Sequence, residues 1–585
     1  MNPNESKKFK ITLLFFFILL FFLILIFALV HITTSDKKLP RLTMTERDKA
    51  LHGSILSRNN FTISSSKKLY KAVIDTRNID PHKKALFIEL FSTFSNMHKK
   101  DIKEKIESKQ GFVTLTYKLD SKTARYVKQL AKRLFALKVI TRYTDSQTGR
   151  SFLHGLEVTE SGEYRFYPLG EVLTPTIGYD RKYEKDHYTT IVGKYGLEKQ
   201  YEQDLEGIQS TEIKGRRDVR NNIIFDDNSV VQNRRDGYDV ITSISITLQK
   251  CIEKMLITHR EKLNAKEIMV AVMESKSGDI LATASSRRFT PGHIQDADAL
   301  TISSIRHVYE PGSVMKPIVY ALLVEENKVS KDDVIRTYNG SYQLGKKIIT
   351  DEHRYPYLSA ENVIVHSSNI GMAQLAQRLD PLTYFQGLRD FGFGRVSGID
   401  LPYELAGSIP SIHRLKHSLY RATTSYGYGI KNNFYQLLQA YNVFNNDGFL
   451  VAPSIGKYFQ SDKDKQVIRH KKPKAIISPD TAHEMQRILF KVVKEGTGKG
   501  AITPHLMIGG KTGTAQISVR GRYEEIYNNS FFGFANGLKE RYTIGVTVIQ
   551  PDPKGVGHFA SGSAVPVFKE MVDILMQEGF LTPIP

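Results

Sequence analysis

Cysteine is nearly missing. The 585 residues hold one, Cys251, so no intrachain disulfide can form and a disulfide-stapled scaffold is excluded. No Cys/His cluster has the spacing of a zinc site, which excludes a structural zinc protein. Internal repeats are also lacking. Apolar residues make up 41% and charged residues 24%, with 41 Gly and 21 Pro; this ordinary globular composition excludes a wholly disordered, collagenous or low-complexity chain. At about 150 residues per domain, the length predicts three or four units. Acidic residues are few beside basic ones, 61 against 82, for a net charge of +21. Such a surplus suggests nucleic acid as a partner, but its position along the chain argues otherwise.

Residues 11–30 are uniformly apolar except for Thr12. Twenty helical residues span about 30 Å, the hydrocarbon thickness of a bilayer. A cleaved signal peptide has an apolar stretch of about 7–15 residues and a small-residue cleavage site. This run is longer, rich in Phe, Ile and Leu, and without a good A-x-A site, so it reads as an uncleaved anchor. Lys7, Lys8 and Lys10 before it favour a cytoplasmic N-terminus, although Lys37, Lys38 and Arg41 follow it. No second spanning run occurs downstream. Everything after about residue 32 is therefore expected outside the cytoplasmic membrane, where no nucleic acid is expected as a partner. Residues 1–150 hold 29 Lys and Arg against 12 Asp and Glu, so most of the charge surplus lies near the anchor. It reads as solvated helix surface, with anionic head groups or an acidic partner as the functional alternative.

Four segments are expected: a cytoplasmic tail 1–10, the anchor 11–32, a mixed region 33–232 and an α+β domain 233–585. The mixed region includes a helical stretch in which Arg125, Lys128 and Lys132 interleave with Leu130, Ala131, Leu134 and Phe135. Residues 216–233 are polar and read as a linker or exposed hairpin. In the last segment, Ile268–Val272 and Ile280–Ala282 are strand-like runs joined by Lys276-Ser277-Gly278-Asp279, which predicts a β-hairpin. Tyr542–Ile549 predicts a further strand, and helical patterns at Ser313–Glu325 and Asp480–Val493 lie between.

Three short motifs carry chemistry: Ser313-Val314-Met315-Lys316, Ser367-Ser368-Asn369 and Lys511-Thr512-Gly513. The first two are individually common: Ser-x-x-Lys recurs at Ser35–Lys38, Ser64–Lys67 and Ser65–Lys68, and Ser-x-Asn at Ser57–Asn59. Lys-Thr-Gly occurs once. Specificity comes from their order and setting. Pro311-Gly312 precedes Ser313 and a periodic apolar run follows, so Ser313 opens a helix, with Pro317 tolerated in the first turn. An i,i+3 spacing puts Lys316 on the same face one turn on. A serine hydroxyl needs a nearby base, and lysine serves only if burial or a neighbouring cation keeps it partly neutral. The helix start also offers free N–H groups to a developing oxyanion. Alone, Ser313, Ser367 and Asn369 would read as helix caps and Lys511 as an ordinary strand residue. The glycines around Lys511 (Gly509, Gly510, Gly513) allow close approach of another backbone or a ligand.

Together the three motifs resemble those of penicillin-binding proteins and serine β-lactamases. Tyr309-Glu310-Pro311-Gly312-Ser313-Val314-Met315-Lys316-Pro317 is similar to the nucleophile segment of class B penicillin-binding proteins. So are Thr424-Ser425-Tyr426-Gly427-Tyr428-Gly429, Glu495-Gly496-Thr497-Gly498, Phe531-Phe532-Gly533-Phe534 and Ala564-Val565-Pro566-Val567-Phe568. Tyr167-Pro168 with Gly170, Ile177-Gly178-Tyr179 and Gly196-Leu197-Glu198-Lys199 resemble the family's pedestal domain. Residues 53–59 resemble its opening motif, with His52 and Ser57 where an Arg and an Asp are usual.

The resemblance implies a single-anchor protein of the bacterial inner membrane, with an elongated pedestal (33–232) and a periplasmic transpeptidase domain (233–585) of the serine β-lactamase type. It implies a peptidoglycan D,D-transpeptidase in which Ser313 attacks the donor stem peptide between its two D-alanines. Lys316 takes the serine proton, Ser367 relays a proton to the leaving amine, and Asn369 holds the donor amide and Lys316. Lys511, Thr512, Gly513 and Thr514 form the carboxylate subsite, and the N–H groups of Ser313 and Thr514 form the oxyanion hole. The implied partners are peptidoglycan stem peptides, β-lactams, a polytopic glycosyltransferase and other division proteins. No metal or cofactor is implied. Glu310 and Met315 resemble division enzymes more than elongation enzymes, which leaves a sidewall role as the alternative. A bifunctional class A enzyme disagrees with the pedestal resemblance. A class A β-lactamase would carry a Glu-x-x-Leu-Asn motif after Ser367, and none is present. A sensor or dead scaffold would be expected to carry further membrane spans or to have lost Ser313, Lys316 or Lys511.

Overall fold

The computed structural model describes residues 3–34, 43–146, 148–218, 223–227, 229–294, 296–462, 464–520, 522–555 and 557–585. Lys37, Lys38, Arg41, the Ser35–Lys38 recurrence, and residues 219–222 and 228 of the expected hairpin lie outside them. Contacts divide the chain into two compact units, residues 1–49 with 209–234, and residues 50–208 with 235–585.

In the first unit, the apolar run lies within one helix, Pro3–Thr34, of which Lys7–Thr34 is long and apolar enough to cross a membrane. The same unit holds a small antiparallel sheet. Strand Thr43–Asp48 pairs with Thr211–Arg217, which also pairs with Ile223–Ile224 and Val230–Gln232.

The second unit contains two large sheets. One runs Lys465–Val467, Gly456–Gln460, Asp239–Thr242, Ile55–Leu56, Thr62–Asp75, Leu156–Phe166, Tyr188–Tyr195, Tyr179–Lys185, with Phe112–Leu119 also paired to Thr62–Asp75. It draws strands from both sides of residue 232. Asp239–Thr242 pairs in parallel with Ile55–Leu56 and antiparallel with Gly456–Gln460. Asp400 secures the same junction: its carboxylate accepts the Tyr201 hydroxyl and the N–H groups of Ile455 (2.7 Å) and Gly456 (2.6 Å). Helix Ser121–Ala136 is capped by Asp120, whose carboxylate accepts from Thr123 N–H. It buries Ala124, Val127, Leu130 and Leu134 and turns Arg125, Lys128 and Lys132 to solvent. The interleaved charges are the outer face of an amphipathic helix.

The other sheet is antiparallel, in the order Ile280–Ser285, Glu267–Glu274, Arg541–Ile549, Arg522–Asn536, Met507–Val519. The predicted hairpin forms, with Gly278 at φ +84° and Glu274 N–H donating to Asp279 C=O at 2.9 Å. Strand Glu267–Glu274 is buried on both faces. Ile268, Val270 and Val272 join the core under helices Ile246–Leu263 and Ala564–Gln577, while Met269, Ala271 and Met273 join the main helical core. That explains a continuous apolar run where alternation would mark a half-exposed strand. The mixed helix-and-sheet architecture agrees with the α+β expectation.

The two departures from the family's opening motif have local partners. Ser57 is buried, and its hydroxyl accepts from Phe61 N–H at 3.0 Å. His52 Nδ1 lies 2.7 Å from Glu163 and Nε2 lies 3.7 Å from Glu202. Burial alone would lower the imidazole pKa, but the two carboxylates outweigh it and push it up to about 9. A folded-state pKa raised from about 6.5 contributes stability that is full below the unfolded value and lost as pH rises through about 9. We expect the thermal midpoint of wild type to exceed that of His52→Gln at pH 6, by an amount set by at most about 3 kcal/mol, and the gap to close by pH 10. A gap independent of pH in calorimetric scans excludes the charged pair as its source.

Candidate functional site

The three motifs, scattered over two hundred residues, converge on one edge of the five-stranded sheet. Pro311-Gly312 leads into a single 3₁₀ turn, Gly312–Met315, which continues as helix Lys316–Glu325 with Pro317 in its first turn. The serine sits in the 3₁₀ turn and the lysine opens the α-helix, a tighter start than the uniform helix expected from the pattern. Tyr441 hydroxyl donates to Val314 C=O at 2.8 Å and holds the turn from beneath.

Strand Met507–Val519, which carries Lys511 to Thr514, is the free edge of its sheet, so alternate backbone N–H groups point off the sheet. It runs against the serine turn. A Cβ on Gly513 would lie 2.9 Å from Val314 Cγ1 and 3.0 Å from Pro311 C=O, so only glycine allows this approach. Gly312 has φ +63°, and Gly427 packs on its backbone so closely that a Cβ there would lie 2.1 Å from Gly312 C=O. The Thr424–Gly429 segment thus forms a second wall of the turn. Glu310 ties the walls together: its carboxylate accepts from Gly429 N–H at 2.8 Å and from Tyr523 hydroxyl at 3.0 Å.

Lys316 is fully buried. Its Nζ donates to the carbonyl and hydroxyl oxygens of Ser367, the latter at 3.0 Å. Burial pushes its pKa down to about 7, against the opposing pull of Asp351 and Glu352. The amine is therefore partly neutral near neutral pH, the condition for a lysine base. Ser313 is half-buried, and its hydroxyl carries no hydrogen bond to another described residue. Lys511 is also fully buried, and its pKa lies well below the usual lysine range, through burial first and the charge of Lys316 second. Its Nζ donates to Thr512 C=O at 3.1 Å and Thr512 Oγ1 at 3.2 Å. Thr497 Oγ1 lies 2.7 Å from Thr512 Oγ1, and Thr514 Oγ1 accepts from Ala560 N–H at 3.1 Å.

Ser367 takes a left-handed backbone, φ +60°, a conformation disfavoured for serine unless its surroundings enforce it. The cap of helix Asn369–Leu375 is Ser368, whose hydroxyl accepts from Gly371 N–H at 2.9 Å. Ser367 is thereby free for Lys316. Asn369 opens that helix, and its Nδ2 donates to Thr350 C=O at 2.9 Å; among the described residues the expected bond between Asn369 and Lys316 is not formed.

Sequence reasoning missed Asp351. Its carboxylate accepts from Ser368 hydroxyl (2.5 Å), Asn369 N–H (2.6 Å) and Ile370 N–H (3.0 Å), anchoring the serine–asparagine loop on a carboxylate at a helix start, where negative charge is favoured. An Asp seventeen residues before the cap carries no local signal. We expect Asp351→Ala to speed amide hydrogen exchange at Asn369 and Ile370 about tenfold, the equivalent of a lost cap of roughly 1–2 kcal/mol. Unchanged exchange at these two amides in the folded variant refutes the anchoring role.

Residues 268–573 match the family described as penicillin binding protein transpeptidase domain, and residues 47–242 match the penicillin-binding protein dimerisation domain. Among curated proteins, the chain is 26% identical over 541 residues to "Probable peptidoglycan D,D-transpeptidase PenA" of Neisseria meningitidis, covering 91% of this chain and 85% of that protein. It is 30% identical over 392 residues to the protein of that name in Neisseria flavescens, covering 65% and 92%. Penicillin Binding Protein 2X of Streptococcus thermophilus shares the fold, with a TM-score of 0.74, 19% identity and coverage of 92% and 81%. With a transpeptidase match over half its length, a dimerisation domain ahead of it and a serine–lysine cleft on the sheet edge, the chain belongs to the class B penicillin-binding proteins.

Proposed function

We propose that the chain crosslinks peptidoglycan as a membrane-anchored serine D,D-transpeptidase, with Ser313 as nucleophile. The observation that carries this reading is a fully buried lysine, Lys316, one turn from an unbonded serine and shifted to about 7. Neutral Lys316 removes the Ser313 proton as Oγ attacks the carbonyl between the two D-alanines of a donor stem. The tetrahedral oxyanion is stabilised by N–H groups of Ser313 and Thr514, the latter on the sheet edge. Collapse breaks the C–N bond, and the proton passes from Lys316 through Ser367 to the departing D-Ala amine. Ser367 already accepts from Lys316 Nζ, which supports that relay. Lys511, Thr512, Gly513 and Thr514 form the carboxylate subsite. Asn369, held by Thr350, faces the donor amide. An amine on a second stem then attacks the ester and regenerates Ser313. β-Lactams, which resemble D-Ala-D-Ala, acylate Ser313 by the same first step.

The apolar helix Pro3–Thr34 supports a single-pass anchor in the inner membrane with the cleft outside the cytoplasm. Glu310 and Met315 in the nucleophile segment support a septal role. Residues 33–232 carry no catalytic set, which supports a pedestal that docks a polytopic glycosyltransferase and other division proteins, while residues 233–585 perform the chemistry.

Two measurements test the chemistry. Ser313→Ala is expected to abolish covalent labelling by a fluorescent penicillin while the circular dichroism spectrum is retained; persistent labelling of the folded variant would falsify the assignment. The acylation rate of wild type is expected to rise with pH through about 7 and then level, because the base acts only after Lys316 loses its proton. Lys316→Ala should remove that limb and slow acylation by about 10³ or more. A rate that falls between pH 6 and 8 assigns the base to another group.

A further inference from the structure

Glu352 has no part in the chemistry above. Its side chain is exposed and pairs with no other described residue. Its position is nonetheless set by its neighbour. Asp351 is bound through its carboxylate to the start of helix Asn369–Leu375, and its N–H donates to Gly340 C=O at 3.1 Å. Glu352 is therefore the chain neighbour of the residue that anchors Ser368 and Asn369, with its own side chain in solvent. From there its charge acts on both buried lysines, Lys316 and Lys511. The other charged or titratable groups of its own segment are His353 and Arg354, both exposed.

Crosslinking needs a second substrate, and that substrate differs in charge from the first. The donor brings a carboxylate, for which Lys511 and its threonines are the counterpart. The acceptor brings an amine, which is an ammonium ion at neutral pH because alkylamines titrate near 10. A cleft floored by two buried lysine amines offers the incoming ammonium no counter-charge of its own. A carboxylate beside that site supplies a charge-assisted acceptor for the ammonium N–H groups.

We propose that Glu352 binds the incoming ammonium group of the acceptor stem peptide at the mouth of the cleft, and so favours amine over water as the group that resolves the acyl-enzyme. This inference rests on the transpeptidase reading above. In the resolving step the bound ammonium first releases one proton to solvent. The neutral nitrogen then attacks the ester carbonyl, an N–C bond forms, and the bond from that carbon to Ser313 Oγ breaks. The second amine proton passes through Lys316 to Ser313 Oγ. Glu352 is a binding group and is unchanged at the end.

The partition of an acyl-enzyme between amine and water is independent of how fast it formed, which isolates the acceptor side. The experiment uses the full-length protein in detergent, a D-alanyl thioester donor, and a peptide acceptor bearing a side-chain amine. For Glu352→Gln, we expect the acceptor concentration giving half-maximal aminolysis to rise about tenfold, and Glu352→Asp to recover part of the loss. The difference between wild type and Glu352→Gln should shrink in 0.5 M salt, as charge steering does. If aminolysis and hydrolysis change together, so that their ratio at each acceptor concentration matches wild type, Glu352 acts only on the lysines and the proposal falls. If wild type forms no acyl-enzyme with the thioester, the transpeptidase reading itself fails; if it does and the ratio is unmoved, only the role of Glu352 fails.

Discussion

Two lysines without solvent exposure share one cleft, and the cost of burying their charge governs how the surroundings are built. A buried ammonium costs several kcal/mol unless it is paired or loses its proton. Here both remedies operate. Lys316 gives its hydrogen bonds to Ser367 and feels the carboxylates of Asp351 and Glu352, while still being shifted to about 7. Lys511 leans on Thr512, and its pKa is lowered by burial first and by the charge of Lys316 second. The same desolvation that destabilises the ammonium leaves a free amine beside a serine, so the energetic penalty and the reactivity have one origin.

That arrangement requires backbone segments to approach more closely than side chains permit. Gly513 lies against Val314 and Pro311, and Gly427 lies against Gly312. Ser367 is held in a left-handed conformation by the Lys316 bonds on one side and by the Ser368 cap on the other. Asp351 then fixes that cap through three hydrogen bonds. The site is thus assembled from a 3₁₀ turn, a sheet edge and a capped helix start, each weakly specified alone. The main core behind the turn, including Val314, Met315, Tyr441 and Phe532, is what holds them in register.

The segments matching the dimerisation domain and the transpeptidase domain share one sheet. Strand Asp239–Thr242 lies between Ile55–Leu56 and Gly456–Gln460 in one sheet, and Asp400 binds Tyr201 as well as the backbone at Ile455 and Gly456. Buried polar contacts of this kind are costly to break singly, since each leaves an unsatisfied partner. Removing residues 33–232 would strip ordered partners from the remaining chain.

Much of this was legible in the residues. Twenty positions, nineteen of them apolar, specify a membrane-length helix because span length depends on local composition alone. The turn Lys276–Asp279 and the runs beside it specify a hairpin for the same local reason. Ser-x-x-Lys at a helix start puts serine and lysine on one face because helical geometry does so wherever it occurs. Other features depended on distant chain segments. Asp351 has no motif of its own, Asn369 bonds to Thr350 and not to Lys316, and Ser368 takes the cap that its neighbours could have taken. Local geometry follows from short-range sterics and periodicity, which a sequence states directly. The pKa of Lys316, the partner of Ser367 and the nearness of Lys511 follow from desolvation and close packing between segments far apart in the chain, and only the folded core brings those segments together.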